Sequence, residues 1–543
     1  MHVALIAMVL GTLVGVVNHI AVIGGILDPP AGFEPAYVIR NLDVPQYLTW
    51  AALAKDHWLL PNYHAPWKTE PALFQPMLQI VGKSGLSPIV AYYVFQFLLY
   101  WIAAYALIQA AVTFCHSRRQ MVYAAIVMIG ALPLKLVGWA AAKWIGAALP
   151  LQMGLAYGVV EYTYETADGF LRGGLSNSFT LTFGTAVTLV SFTALARYAR
   201  TGDRKYFIRL LICTFLGAFV HPFEVFLVVF GAVFPLWKMK RPFEILCLGA
   251  AAGLGLAPYL VQAVRYPWLR DASDIAQWHM TSPVWVLLAY GLPAIVICWL
   301  MAMRFRGPEP EDDVLQSWFL TTALLPMIPA IPVAIHLFDG FTYCLGFLLV
   351  RKMAQDKLFQ RFRQRLRPLA WGWAAVSLAV LFTVYFQLYT DGKAVDPLIG
   401  RQAVIARDER AMLDWMRQNL PREKLVLAPP EMAPWVAAIP MVAMASHDVF
   451  SITFDEQRDA AAKFYSGDHS VIDRFGVSYV VTEQRLAPGV LLHREGRLSL
   501  YEMPGREMNP YPGRAALPGA KPPNRFRQFV FELLRRGTNS VVR

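Results

Sequence analysis

Apolar runs of about twenty residues recur from residue 3 to residue 390, and no other feature constrains the fold of this chain so strongly. A helical run of that length matches the roughly 30 Å hydrocarbon core of a bilayer, at about 1.5 Å per residue. Candidate spans fall at 3–26, 88–114, 121–148, 178–197, 242–263, 284–303 and 369–390. Composition agrees: 56% of the residues are hydrophobic and 16% charged, with a mean hydropathy of +0.41. The chain reads as an α-helical polytopic membrane protein. Its net charge of +12 lies in short Lys/Arg clusters between the apolar runs, as topology determinants do, so nucleic acid is not an expected partner. Cys115, Cys213, Cys247, Cys298 and Cys344 are far apart and lack CxxC spacing, which implies neither a disulfide framework nor a thiolate metal site. The first run has no basic leader and no small-residue cleavage site near its end, so it is read as a retained helix.

Two further runs, 207–237 and 315–350, are long for one span and short for two. Basic clusters decide them: Arg118 and Arg119; Arg197, Arg200, Arg204 and Lys205; Lys238, Lys240 and Arg241; Arg304 and Arg306; and the run Arg351 to Arg367. The positive-inside rule puts these clusters in the cytoplasm. Since 207–237 is flanked by them on both sides, it must enter and return as a hairpin of two short helices, with HPFE (His221 to Glu224) at the outward tip. By the same reasoning 315–350 is a second hairpin, with its tip near HLFDG (336–340). The result is about eleven transmembrane helices, with a cytoplasmic N-terminus and an extracytoplasmic C-terminal region.

The external segments are then 27–87, 149–177, 264–283 and everything after 391. In the first, NLDVPQYLTWAALAKDHWLL predicts an interfacial amphipathic helix over 46–58, with Asp43 just ahead of it as either an N-cap or a reactive carboxylate. Tyr47 lies on that helix. His64 follows in a proline-rich stretch, and a second interfacial helix is expected within 71–86. The second segment places Glu165, Asp168, Arg172 and Asn177 among tyrosines, a mixture suited to sugar hydroxyls and phosphate. The third carries Arg265 and Arg270, placed for lipid phosphate or for snorkelling to headgroups. At the hairpin tip, His221 and Glu224 either cap the two arms or meet substrate.

After residue 391 hydropathy falls. ERAMLDWMRQNL (409–420) predicts a helix, while KLVLAPP, FGVSYVVTEQ (475–484) and RLSLYEMP (497–504) predict strands, so 391–504 reads as a small extracytoplasmic α/β lobe packed on the external loops. The tail 505–543 is rich in proline and basic residues. SGDHS near 466 and SHDV near 446 are read as turns.

Taken together, NLDVPQYLTWAALAKDHWLL, PALFQPMLQIVGKSGLSP, FLRGGLSNSF, ALARYARTGDRKYFIRLLICTFLGAFVHPFEV and the lobe from ERAMLDWMRQNL to FGVSYVVTEQ resemble the GT-C class of integral-membrane glycosyltransferases. The resemblance implies a GT-C-like transmembrane domain over 1–390 in an inner (plasma) membrane. It implies sugar transfer from a polyprenyl-phosphate-linked donor to a glycan, lipid or protein acceptor at the outer face, with Asp43, the carboxylate of the first external loop, as the catalytic residue that serves as base or positions the acceptor. The adjacent second acid usual in that class is absent, since Leu42 and Val44 flank Asp43. A divalent cation could assist, but the sequence offers no convincing ligand set. Two other classes stay open: a lipid-linked glycan transporter or flippase, and a non-catalytic GT-C-like envelope scaffold.

Overall fold

The computed structural model describes residues 2–38, 43–130, 179–275, 295–299, 307–328, 337, 341–355, 357–393, 395–396, 400–401, 403–446, 451, 453–486 and 489–516. In chain order it begins with α1 (His2–Asn18), α2 (Ile20–Leu27), β1 (Phe33–Pro35), α3 (Asp43–Ala54), α4 (Pro76–Lys83), α5 (Pro88–Phe114) and α6 (Arg118–Gly130). There follow α7 (Phe179–Thr201), α8 (Arg204–Val220), α9 (Phe223–Lys238), α10 (Pro242–Arg265), α11 (Pro267–Ile275), α12 (Pro310–Leu324), α13 (Phe341–Gln355) and α14 (Lys357–Lys393). The C-terminal part holds β2 (Val395–Asp396), β3 (Gly400–Arg401), β4 (Val404–Ala406), α15 (Arg407–Asn419), β5 (Val426–Leu427) and α16 (Ala433–Ala438). It ends with α17 (Phe454–Tyr465), α18 (Ser470–Phe475), β6 (Tyr479–Thr482), β7 (Val490–Glu495) and β8 (Leu498–Glu502).

Local chemistry sets many of these boundaries. α4, α5, α10, α11 and α12 all open on proline, whose fixed φ and missing N–H suit a first helical turn. Asp203 caps α8 by accepting from the Lys205 N–H at 3.0 Å. A reciprocal capping box between Glu309 and Asp312 starts α12, and Gly476, at φ 67°, supplies the left-handed residue that ends α18.

Among the described residues α5, α7 and α10 are each long and apolar enough to cross a membrane, and α1 with α2 would make a fourth span. The chain is a multi-pass membrane protein with a small C-terminal sheet region. On α10, Leu246 is 71% exposed and Leu254 68%, a face that lipid and not water would cover. Three sequence expectations need correction. The run 3–26 is not one helix but breaks at His19, whose Nδ1 lies 2.7 Å from the Gly15 carbonyl oxygen and competes with the helical ladder there. The interfacial helix begins at Asp43 instead of after Pro45, because proline is tolerated in a first turn. Much of the basic run 351–367 belongs to helix: α14 runs through Pro368 into the apolar stretch as a single element of 37 residues. The tip of the second hairpin lies outside the described residues apart from Leu337, as do the second half of 121–148 and most of 284–303.

The chain divides into two compact units. The first gathers Met1–His19, Gln96–Ala257 and Trp278–Gln387. Within it α9 packs on α7 and α12, while α13 packs on α6. Phe192 and Trp318 stack with centroids 4.4 Å apart, and Phe192 fills the notch left by Gly231. One end of this unit is held by charge. Arg351, 1% exposed, gives its Nε to Asp312 Oδ1 at 2.5 Å, one terminal nitrogen to Glu309 at 2.7 Å and the other to the Phe114 carbonyl at 3.2 Å. Lys238 meets Asp313 at 2.6 Å and Arg200 meets Glu311 at 3.3 Å. The basic residues read as topology signals are thus also the partners of the acids that open α12.

The second unit gathers Ile20–Phe95, Pro258–Gln277 and Leu388–Arg543. β1 pairs antiparallel with β4, with Glu34 opposite Ile405, so the first loop is stitched to the lobe. The lobe sheet runs β5-β6-β8-β7, with β5 parallel to β6 and the other pairs antiparallel. The predicted helix and three predicted strands all appear. β7 and the helices α16, α17 and α18 are additional.

Candidate functional site

In the first unit the HPFE hairpin is formed by α8 and α9, of 17 and 16 residues, which spans about 24–26 Å each at 1.5 Å per residue. His221 ends α8, its backbone N–H donating to Gly217 O at 2.8 Å, and Pro222 begins the turn into α9. The His221 and Glu224 side chains face each other across the turn. They bond each other: His221 Nδ1 lies 2.8 and 2.7 Å from the two oxygens of Glu224. Glu224 is 0% exposed and His221 8%. The carboxylate lies directly against the α carbon of Gly184 on α7, where any side chain would collide with it. Phe223 closes edge-on over the imidazole at 5.1 Å. A buried carboxylate costs several kcal/mol unless paired, and His221 is the partner that offsets this.

A second polar cluster lies in the same unit and went unnoticed in the sequence. Asn18, His19, Gln96, Tyr100 and Thr182 are all buried. Gln96 donates to Thr182 at 3.0 Å, and His19 stacks on Phe97 at 5.7 Å. The signal was legible as the pair Asn18, His19 inside the first apolar run.

In the second unit Asp43 is the first residue of α3. Tyr47, one turn on, is half-buried and meets Trp50 edge-on at 6.4 Å. Trp50 in turn meets His64 at 6.3 Å. His64 is fully buried, with Nδ1 2.9 Å from Ser446 Oγ, while Ser451 donates to its carbonyl at 2.7 Å. Thr49 donates to Ala437 O at 2.6 Å. The helix that starts at Asp43 is therefore pinned to the lobe, and His64 sits where a clasp would, well inside the unit. Ser446, read from sequence as part of a turn, is its counterpart.

Arg265 ends α10 exposed, its guanidinium 5.5 Å from the Tyr266 ring centroid. Arg270 is half-exposed and lies 3.6 Å from Asp271, whose other oxygen accepts from Tyr511 at 2.8 Å. Burial, and then the bond to Asp271, raises the Tyr511 phenol well above its ordinary value, so it stays a donor. Trp268 Nε1 donates to Glu70 O at 3.0 Å and Phe74 N to Gln262 Oε1 at 3.1 Å. These contacts tie the third external segment and the tail to the first loop. Of the predicted site residues, Asp43, Tyr47, His64, Arg265 and Arg270 thus share one unit, and His221 with Glu224 belongs to the other. Glu165, Asp168, Arg172 and Asn177 lie outside the described residues. Among the described residues no three His, Cys, Asp or Glu side chains are grouped to hold a metal ion.

No protein-family model matches the chain, and no curated protein does. Among solved structures it is similar to ArnT from Cupriavidus metallidurans bound to undecaprenyl phosphate, at 11% identity over 93% of this chain and 99% of that one, with a TM-score of 0.44. It is also similar to the arabinofuranosyltransferase AftD from Mycobacteria, at 13% identity over 91% of this chain and 40% of that one, with a TM-score of 0.48. Identities this low leave the chemistry to this chain's own residues.

Proposed function

We propose that the protein is a GT-C-type membrane glycosyltransferase, moving a sugar from a polyprenyl-phosphate-linked donor to a hydroxyl of a cell-envelope glycan, lipid or protein at the outer face. One observation carries this reading. Three segments far apart in sequence, each assigned to the outer side from the basic flanks alone, form a single unit with its own core, and that unit pins the helix headed by Asp43. Such an investment in one face suits chemistry at that face.

In this mechanism Asp43 takes the proton of the acceptor hydroxyl, the oxygen bonds to the anomeric carbon, and the bond to the lipid phosphate breaks with its electron pair on phosphate. Phosphate departure asks for cationic donors and no protein acid. Of the two described arginines Arg265 is the better placed, because Arg270 is already engaged by Asp271. Arg172 is the third candidate. Glu165, Asp168, Asn177, Tyr47, His221 and Glu224 belong to substrate binding in this scheme, and His64 holds the loop that carries Tyr47.

Purified protein given a panel of labelled polyprenyl-phosphate sugars should transfer label to acceptor. Asp43→Ala should lower the rate by about 10²–10⁴-fold, while the exposed-position control Trp371→Phe leaves it unchanged. Undiminished transfer by Asp43→Ala would remove Asp43 as the base. The transporter reading has one observation in its favour, the buried His221–Glu224 pair within an apolar unit. Vesicle uptake of a lipid-linked sugar without covalent transfer would favour it.

A further inference from the structure

We infer that residues 507–511 form a strap that closes a circuit of contacts fixing the segment that carries Arg265, and that Tyr511 is a positioning residue for that cation, acting through Asp271. The inference rests on the glycosyl-transfer reading, in which Arg265 faces the lipid phosphate, and adds how this chain holds it in place. Three segments far apart in sequence make the circuit, all within the second unit. The first loop meets the 262–271 segment twice: Phe74 N donates to Gln262 Oε1 at 3.1 Å and Trp268 Nε1 to Glu70 O at 3.0 Å. The strap meets the first loop through its backbone, with Lys68 N donating to Asn509 O at 2.8 Å and Tyr511 N to Lys68 O at 3.2 Å. Trp67 adds an edge-on contact with the Tyr511 ring at 6.1 Å. The last side is a single bond, from Tyr511 Oη to Asp271 Oδ2 at 2.8 Å, across 240 positions of sequence. Along the chain Arg265 stands between two of these pins, three residues from Gln262 and three from Trp268.

The sequence prepares the strap for this path. Gly505, at φ 71°, turns the chain away from β8, and Gly476 lets the Glu507 carbonyl lie where a Cβ would otherwise be. Asn509 then donates from Nδ2 to Arg474 O at 3.2 Å. The segment still keeps to the surface: Asn509 and Pro510 are exposed and Tyr511 is half-buried. A surface segment held by a few bonds opens at low cost, so its one side-chain bond to α11 carries weight. Asp271 is 3% exposed, and Arg270 Nε lies 3.6 Å from it, beyond hydrogen-bond distance. Among the described residues the phenol is the hydrogen-bond donor to the Asp271 side chain, and burial, then that bond, keep its proton in place. Phenylalanine at 511 would keep the aromatic ring against Trp67 and break the circuit at one bond.

The test uses the full chain in lipid nanodiscs and reads amide hydrogen exchange by mass spectrometry, together with transfer from labelled polyprenyl-phosphate sugars. Tyr511→Phe should speed exchange about tenfold in peptides covering 66–74 and 262–275. Peptides from 407–419 in the lobe should exchange as in the native protein, which shows that the fold is kept. The same variant should lower kcat about tenfold and leave KM within about twofold, because a misplaced cation is missed most in the transition state. Adding Tyr511→Phe to Asp271→Ala should lower kcat no further, since both residues act through one bond. Faster exchange confined to 505–516 would make the strap a passenger and overturn the inference. Unchanged kcat in Tyr511→Phe, or losses that add in the double variant, would overturn the positioning role. If the native protein transfers no sugar from any donor, the glycosyl-transfer reading falls and the positioning of a phosphate-facing cation with it, whereas exchange in 66–74 and 262–275 still decides the strap.

Discussion

Glycine at position 184 lets a carboxylate lie flat against a helix inside an apolar unit, and its replacement tests how tightly that geometry is held. Gly184→Ala puts a methyl group where Glu224 already is. With Glu224 backed by helix and paired in front, the strain has little room to relax, so a loss of about 1–3 kcal/mol is expected. Thermal unfolding in detergent measures it, and a variant as stable as the native protein would show that Glu224 can move aside. At this scale the sequence spoke unevenly. HPFE stood out because charge-capable groups are rare in apolar runs, but the bond between His221 and Glu224 depends on side-chain direction, which spacing does not carry. His64 read as a loop residue because nothing local announces that Ser446 and Ser451, almost four hundred positions away, will close over it.

Elements were most legible where two independent signals met. The hairpin at 207–237 followed from run length together with basic flanks, and its arms differ from the expectation by only a few residues. The first span read as one unbroken helix because averaging hydropathy over twenty positions hides two polar ones, and Asn18 with His19 marks the break. β7 escaped because Val490 and Leu491 are both exposed and a bulge interrupts the pairing near His493, so the strand lacks the alternation that announces one. The pairing of α3 with α4 depends on Gly82, whose α carbon touches the Ala51 carbonyl, and on Gln79, which donates to the carbonyls of His57 and Trp58 at 3.0 Å each. Gly82→Val should separate the two helices. Limited proteolysis should then cut within 55–75 at least about tenfold faster, since cleavage tracks the open population; an unchanged cutting rate would mean that Gln79 alone suffices.

For the whole molecule, the assignment of sides rests on charge and is open to direct measurement. Reporter fusions ending near residues 83, 270 and 516 should read extracytoplasmic, and those near 118, 202, 240 and 355 cytoplasmic. Opposite readings at 83 and 516 would break the proposed outer face. How a chain of this kind reaches its structure is constrained by Arg351. Its partners Phe114, Glu309 and Asp312 are all synthesised earlier, and so are Arg200, Lys238 and the acids they meet. Until residue 351 leaves the ribosome, Asp312 is a carboxylate awaiting its counter-ion, and the ends of α5, α12 and α13 cannot be locked together. The charged end of the first unit is therefore finished in order: the Arg200 and Lys238 pairs have both members in place first, and the bonds from Arg351 to Asp312, Glu309 and Phe114 close last.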